Sequence, residues 1–350
     1  MLKLRLIATL CCALFALGTN ANTLTILTWE AYFSEEVIAQ WEARTGAQIK
    51  QLHFDSDEVR NTILFNSDVN QIDLVTIDPI TAEIFSKQDT FLHVSQHPAL
   101  PNLQHANPQW AQQCGPYTSP YFWGTLGLVY RKDKLTTPPN SWRDLLYPEP
   151  ELHGHIGLLS NYGDTMAPSL LLRNESVSSN DAPLLREVFL ELQNLLPSIL
   201  SFDYAITYLN NKPMDEDLHL ALAYSGDDKV LNQISPHNHW AYVIPDEGST
   251  MWGECLGVLK NAPQSDLALD FINFLNIPEI AAQNSEAIGI ATTNDAGYAL
   301  QSSSFRNDPT LHPSNAVIDK LQHYTGEYSN EGVLLRNRMT TTLVELHESQ

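Results

Sequence analysis

The feature that most limits what this chain can fold into is an alternation near its start. "TLTILTW" (23–29) reads as a strand, "SEEVIAQWEARTG" (34–46) as a helix and "AQIKQLHF" (47–54) as a second strand. "SDEVRNTILF" (56–65) follows as a helix and "IDLVTI" (72–77) as a short, continuous apolar strand. Ser34 is placed to cap the first helix, and Gly46 stands just past its end. Short apolar strands separated by helices predict a parallel sheet covered by helices.

The alternation recurs further along. "YFWGTLGLVYR" (121–131), "HIGLLS" (155–160), "LHLALAYS" (218–225), "WAYVIP" (240–245) and "LGVLK" (256–260) read as strands. "DAPLLREVFLELQNLL" (181–196) and "SDLALDFINFLN" (265–276) have helical spacing, as does the tail from Asn315 to Gln350. No flexible linker separates the two stretches. The expected fold class is therefore α/β, with two lobes joined by crossing strands and a ligand cleft between them. Residues 22–125 with about 253–305 are expected to form lobe 1. Residues 126–252 with about 306–350 are expected to form lobe 2.

Residues 1–21 stand apart. Lys3 and Arg5 precede the apolar run "LIATLCCALFALG", and small residues lead to Ala21. This is the layout of a cleaved export signal, and the run is short for a membrane span. Export would place residues 22–350 in the periplasm, and their length suggests two domains. Cys11 and Cys12 leave with the leader. Cys114 and Cys255 remain, and an oxidising compartment allows one disulfide between them; the alternative is a pair of small buried thiols. The formal net charge of −22 argues against nucleic acid as a partner and suits a cation.

Catalytic signatures are absent: there is no G-x-S-x-G, no P-loop and no G-x-G-x-x-G. "HGH" (153–155) and "HNH" (237–239) read as loop histidines, and no cofactor is expected. A different pattern recurs. Aromatic residues stand near acids at strand ends, in "TWEAY" (28–32), "LLSNYGD" (158–164), "AYSGDD" (223–228) and "MWGE" (251–254). Aromatic faces attract cations and carboxylates accept charge-assisted hydrogen bonds from ammonium groups. A cleft built from both would suit an elongated organic cation. Two rival readings are a two-lobed receptor for a metal ion and a secreted hydrolase using Ser225, Asp227 or Asp228 with a distant histidine.

Over nearly all of residues 22–350 the chain resembles the periplasmic spermidine/putrescine-binding proteins. The resemblance is carried, in family order, by "LTILTWEAYFSEEVIAQWEARTGAQI", "DLV", "PYFWGTLGLVYR", "SWRDLLYPE", "VIPDEGSTMWGECLGVLKNA", "FINFL", "IGIATTN" and "GEY". It implies a type II periplasmic binding fold that closes on a polyamine without catalysis. It further implies that Trp29 and Tyr32 box the ligand, that Trp252 stacks along it and that Glu254 pairs with an inner amine. Tyr224 falls on a second-lobe tryptophan. Asp78 and Ile80 stand where the family has serine and tyrosine. Only Asp164 supplies a carboxylate where the family has an acidic pair, Tyr162 taking the place of the other; Asp78 is expected to make up that charge. Ser329, after Glu327, falls on a glutamine position. "AQQCG", "YFWGTLGLVYR" and "YSGD" are also similar to a norspermidine-sensing branch. That branch implies a membrane signalling partner of the cyclic-di-GMP type, whereas the uptake branch implies an ABC permease. A monomer is expected.

Overall fold

The structure is a computed structural model and describes residues 22–54, 56–66, 71–324 and 329–349. The expected leader, residues 1–21, and Glu327 lie outside the described residues. The first alternation forms as read, β1 (Thr23–Thr28), α1 (Glu35–Thr45), β2 (Gln48–His53), α2 (Asp57–Phe65) and β3 (Leu74–Ile77), and a further helix that was not expected, α3 (Pro79–Lys87), follows it. Strand β1 lies between β2 and β3, parallel to both. Gly46 ends α1 at φ 72°, where its N–H reaches the Glu42 carbonyl; a left-handed residue closes a helix most cheaply as glycine. Val37 and Trp41 bury the inner face of that helix.

Then come α4 (Pro108–Cys114), β4 (Thr118–Arg131), α5 (Trp142–Leu146), β5 (Ile156–Gly157), α6 (Tyr162–Leu172) and α7 (Ala182–Leu195). After them run β6 (Ile199–Ser201), α8 (Ala205–Asn211), β7 (Leu220–Tyr224), α9 (Asp227–Ile234), β8 (Trp240–Val243) and β9 (Thr250–Val258). The chain finishes through α10 (Ser265–Leu275), α11 (Pro278–Ile288), β10 (Ala291–Thr292), α12 (Asp295–Leu300), α13 (Ser303–Arg306), α14 (Asn315–Ile318), β11 (Gln322–His323) and α15 (Asn330–Glu348).

The sheet is mixed rather than purely parallel. Strand β9 runs antiparallel to both β3 and β4, and β4 runs antiparallel to β7 and β8. The reason is that β4 and β9 are the crossing strands. From Thr118 to Thr125, β4 pairs with β9; from Leu126 onward it pairs with β7, and from Leu128 also with β8. The change of partner falls beside Gly124, where a Cβ would lie 2.4 Å from the Trp252 ring. The apolar interior follows the same division. Leu24, Trp41, Leu74, Phe122 and Phe271 belong to one cluster, whereas Leu128, Trp142, Leu170, Leu192 and Leu343 belong to another.

Two local expectations change. "HIGLLS" yields only the two residues of β5, because Asn161 follows at once and caps α6, its Oδ1 accepting from the N–H groups of Gly163 and Asp164. The tail is not one helix. Gln322 and His323 pair parallel with Thr250 and Met251, and this strand interrupts the helical spacing before α15.

Candidate functional site

The site gathers where β9 crosses. Alternation along the strand puts Trp252 and Glu254 on one face and Gly253 and Cys255 on the other. On the second face Cys255 is fully buried and joined to Cys114 by a disulfide, with Cα atoms 5.8 Å apart. Gly253 lies against Trp110, where a Cβ would come within 2.5 Å of the ring. On the first face Glu254 is only 7 % exposed. Its Oε1 accepts the indole N–H of Trp29 at 3.0 Å, while Oε2 has no hydrogen-bond partner. The indole nitrogen of Trp252 is likewise buried and unpartnered. Unsatisfied buried polar groups are expensive, and their presence side by side marks a place built to receive something polar.

Burial pushes the Glu254 carboxyl up to about 8; the Arg60 guanidinium opposes the shift, and the charges of Asp57 and Asp78 reinforce it. Arg60 is fully buried. It pairs with Asp57 at 2.7 Å and Asp78 at 2.8 Å, and lies 5.6 Å from the centre of the Phe54 ring. Phe54 in turn meets Trp29 edge-on at 4.4 Å. Asp78 therefore does not stand as a loose charge. One of its oxygens caps α3 through the Thr81 N–H at 2.8 Å, and the other holds Arg60. Tyr32 contacts the rings of Phe122 and Tyr121, and its phenol is held well above the usual range by burial and then by Glu254.

The opposite wall comes from α6, β7 and α9. Asp164, in the first turn of α6, accepts the hydroxyls of Tyr224 and Tyr324, both at 2.7 Å. Burial still raises its pKa against those two bonds. Asp227 begins α9 and accepts from the Tyr204 hydroxyl at 2.5 Å and the Tyr224 N–H at 2.7 Å; burial lifts it to about 7. The Tyr224 ring meets Trp252 edge-on at 6.0 Å, so the two walls touch.

Of the residues named from sequence, Trp29 bonds to Glu254, and Trp252, Tyr224 and Asp164 are linked by contacts; β9 joins the two groups by carrying Trp252 and Glu254 on one face. Tyr32 and Asp78 join them electrostatically through Glu254. Tyr162 is half-buried at the start of α6. Ser329 lies elsewhere in role: it is exposed, caps α15 through the Gly332 N–H and bonds to Asn180. Sequence reasoning missed Arg60, Tyr204 and Tyr324. The Asp57–Arg60 spacing of three was a readable helical ion pair, whereas Tyr324 carried no signal at all.

Ser225 is buried, and its hydroxyl accepts the Thr125 N–H at 3.1 Å. With Asp227 held by tyrosine and backbone donors, the site has the form of a binding wall and not of a nucleophile with its base. Among the described residues no three His, Cys, Asp or Glu side chains form a metal cluster, and no helix is long and apolar enough to cross a membrane.

The sequence matches the family described as bacterial extracellular solute-binding protein over residues 36–313. It is 30% identical over 332 residues to the norspermidine sensor of Vibrio cholerae, covering 95% of this chain and 91% of that protein. It is 26% identical over 327 residues to the spermidine/putrescine-binding periplasmic protein of Escherichia coli, covering 90% of each. Among solved structures, the spermidine/putrescine ABC transporter substrate-binding protein PotD of Streptococcus pneumoniae superposes with a TM-score of 0.77 at 22% identity, covering 93% of this chain and 99% of that one. The fold is that of the type II periplasmic solute-binding proteins. The relatives bind or sense solutes and are not enzymes. A mixed sheet with two crossing strands, a buried acid held by an indole through one of its two oxygens, and a match over most of the length agree: the chain belongs to the bacterial extracellular solute-binding protein family.

Proposed function

We propose that this protein is a periplasmic polyamine receptor that closes on its ligand and presents the closed form to a membrane partner. The observation that carries the reading is the buried Oε2 of Glu254, which makes no hydrogen bond while Oε1 is held by the Trp29 indole, on the strand face that also carries Trp252. An ammonium group would meet that oxygen, and the aromatic faces would cover the adjoining methylenes. Trp29, Tyr32 and Glu254 serve the ligand from residues 22–125 and about 253–305; Tyr162, Asp164, Tyr224 and Trp252 serve it from residues 126–252 and about 306–350. Ligand contact with both sets favours the closed arrangement through differential affinity.

The partner is read as a signalling protein in the membrane, in keeping with the named norspermidine sensor at 30% identity. Delivery to an ABC permease is the second reading, favoured by the likeness to the spermidine/putrescine-binding protein of Escherichia coli. The test is a thermal-shift series with putrescine, spermidine, norspermidine and spermine on residues 22–350. A ligand at about 100 times its Kd raises stability by ~2.7 kcal/mol. No shift with any of the four would overturn the reading. Pull-down of a membrane signalling protein or of a permease by the liganded form decides between the partners.

A further inference from the structure

Arg60 is fully buried and reaches Glu254 through packed rings, lying over Phe54, which meets Trp29, whose indole bonds to Glu254. A guanidinium without solvent has to be paired, and this one is paired twice, to Asp57 at 2.7 Å and to Asp78 at 2.8 Å. Phe54 lies beneath it at 5.6 Å and backs onto Trp29. Arg60 is thus fixed on one side by acids and on another by the aromatic wall that carries the Trp29–Glu254 bond. Removing its side chain would leave two carboxylates together with Glu254, an arrangement that attracts ammonium groups. With Arg60 present, Asp57 and Asp78 are engaged by it, whereas the buried Oε2 of Glu254 makes no hydrogen bond. A ligand ammonium entering next to Arg60 meets a like charge in a water-poor setting, where repulsion is strong.

We propose that Arg60 is a built-in cation that takes the place of a ligand ammonium group, so that it limits how many ammonium groups this wall of the cleft accepts. The inference rests on the polyamine reading above. It makes Arg60 a specificity-determining residue that touches the acids and not the ligand's chain. It also gives Asp78 and Asp57 a role: they hold the substitute charge in position.

Calorimetric titration with spermidine (three amines) and spermine (four) tests it in the wild type, R60M, R60K and D57N. In R60M the freed acids should raise the spermine-to-spermidine affinity ratio by about tenfold or more, the scale of losing a close charge contact. R60K should hold the ratio near the wild-type value. D57N leaves the Arg60 charge less compensated and should weaken both ligands, spermine more, by about three- to tenfold with little change in melting temperature. A folded R60M with the wild-type ratio overturns the proposal. If R60M does not melt cooperatively, D57N decides: unchanged affinities for both ligands overturn it equally. A wild type that binds neither polyamine defeats the polyamine reading and this inference with it, whereas a wild type that binds while the variants leave its preference unmoved defeats this inference alone.

Discussion

Trp29 and Glu254 are 225 residues apart in the chain, and the indole N–H of one donates to the carboxylate of the other at 3.0 Å. The bond joins the residue that follows β1 to the crossing strand β9. It orients the carboxylate so that one oxygen is held and the other faces unpaired space. Replacing Glu254 by alanine should therefore abolish tight polyamine binding, at a cost of ~2–5 kcal/mol. Circular dichroism should show the fold intact, and unchanged calorimetric affinity would remove Glu254 from the site.

The same carboxyl makes stability depend on pH. Its pKa is raised from 4.5 in the unfolded chain to about 8 in the fold, so the folded state keeps a proton that the unfolded state gives up. Stability of the ligand-free protein attributable to Glu254 is full below about pH 4.5 and falls as pH rises toward 8. E254Q removes that slope, so its melting temperature should exceed the wild type's increasingly between pH 6 and 8. Equal melting curves across that range would show that the group is ionised throughout.

Ligand binding should release a proton near neutral pH. An ammonium group stabilises the ionised carboxylate, which lies at about 8 in the ligand-free fold, with Asp227 at about 7 as a second source. Affinity should rise from pH 6 to 8, and titration heats at pH 7 should differ between buffers of low and high ionisation enthalpy. Identical heats in both would mean no proton is exchanged.

Tyr224 and Tyr324 share the load of keeping Asp164 buried. Y224F or Y324F alone leaves one donor and should destabilise by ~1–3 kcal/mol. The double variant should lose more than the sum, because the carboxylate is then left with neither phenol. Strict additivity in urea unfolding would show that water replaces each donor independently.

The disulfide should separate folding from binding. It spans 141 residues of sequence, and cross-links of this kind contribute ~2–4 kcal/mol. C255S or reduction should lower the melting temperature by several degrees. Cys255 faces away from Glu254, so polyamine affinity should stay within about threefold. A large loss of affinity would mean that the two faces of β9 are coupled.

Much of this was legible in residues, and the limits have physical causes. Periodicity located β1 to β3 because short apolar strands alternate there with amphipathic helices, the first of which ends at Gly46. Strand alternation put Glu254 and Cys255 on opposite faces. The resemblance supplied Trp29, Trp252 and Tyr224. What could not be read was pairing across the chain. The antiparallel sense of β9, the capture of Asp78 by Arg60 and the reach of Tyr324 to Asp164 are all tertiary facts. Ser329 shows a second limit: its part as the cap of α15 was not visible in the aligned position.

The two crossing strands are hydrogen-bonded to each other as far as Thr125, and their near ends are tied through Cys114. The Thr118 hydroxyl donates to the Cys114 carbonyl at 2.5 Å, and Cys114 is itself bonded to Cys255. The ribbon therefore enters one half of the molecule as a cross-linked pair of strands, with one register shift between Pro120 and Phe122. In the closure proposed above, bending falls where β4 changes partner, close to Gly124 and the Trp252 ring that lies over it. The fulcrum of closure and the stacking face for the ligand would then be the same few atoms, so a molecule wedged against Trp252 would act with almost no lever arm on the angle between the halves.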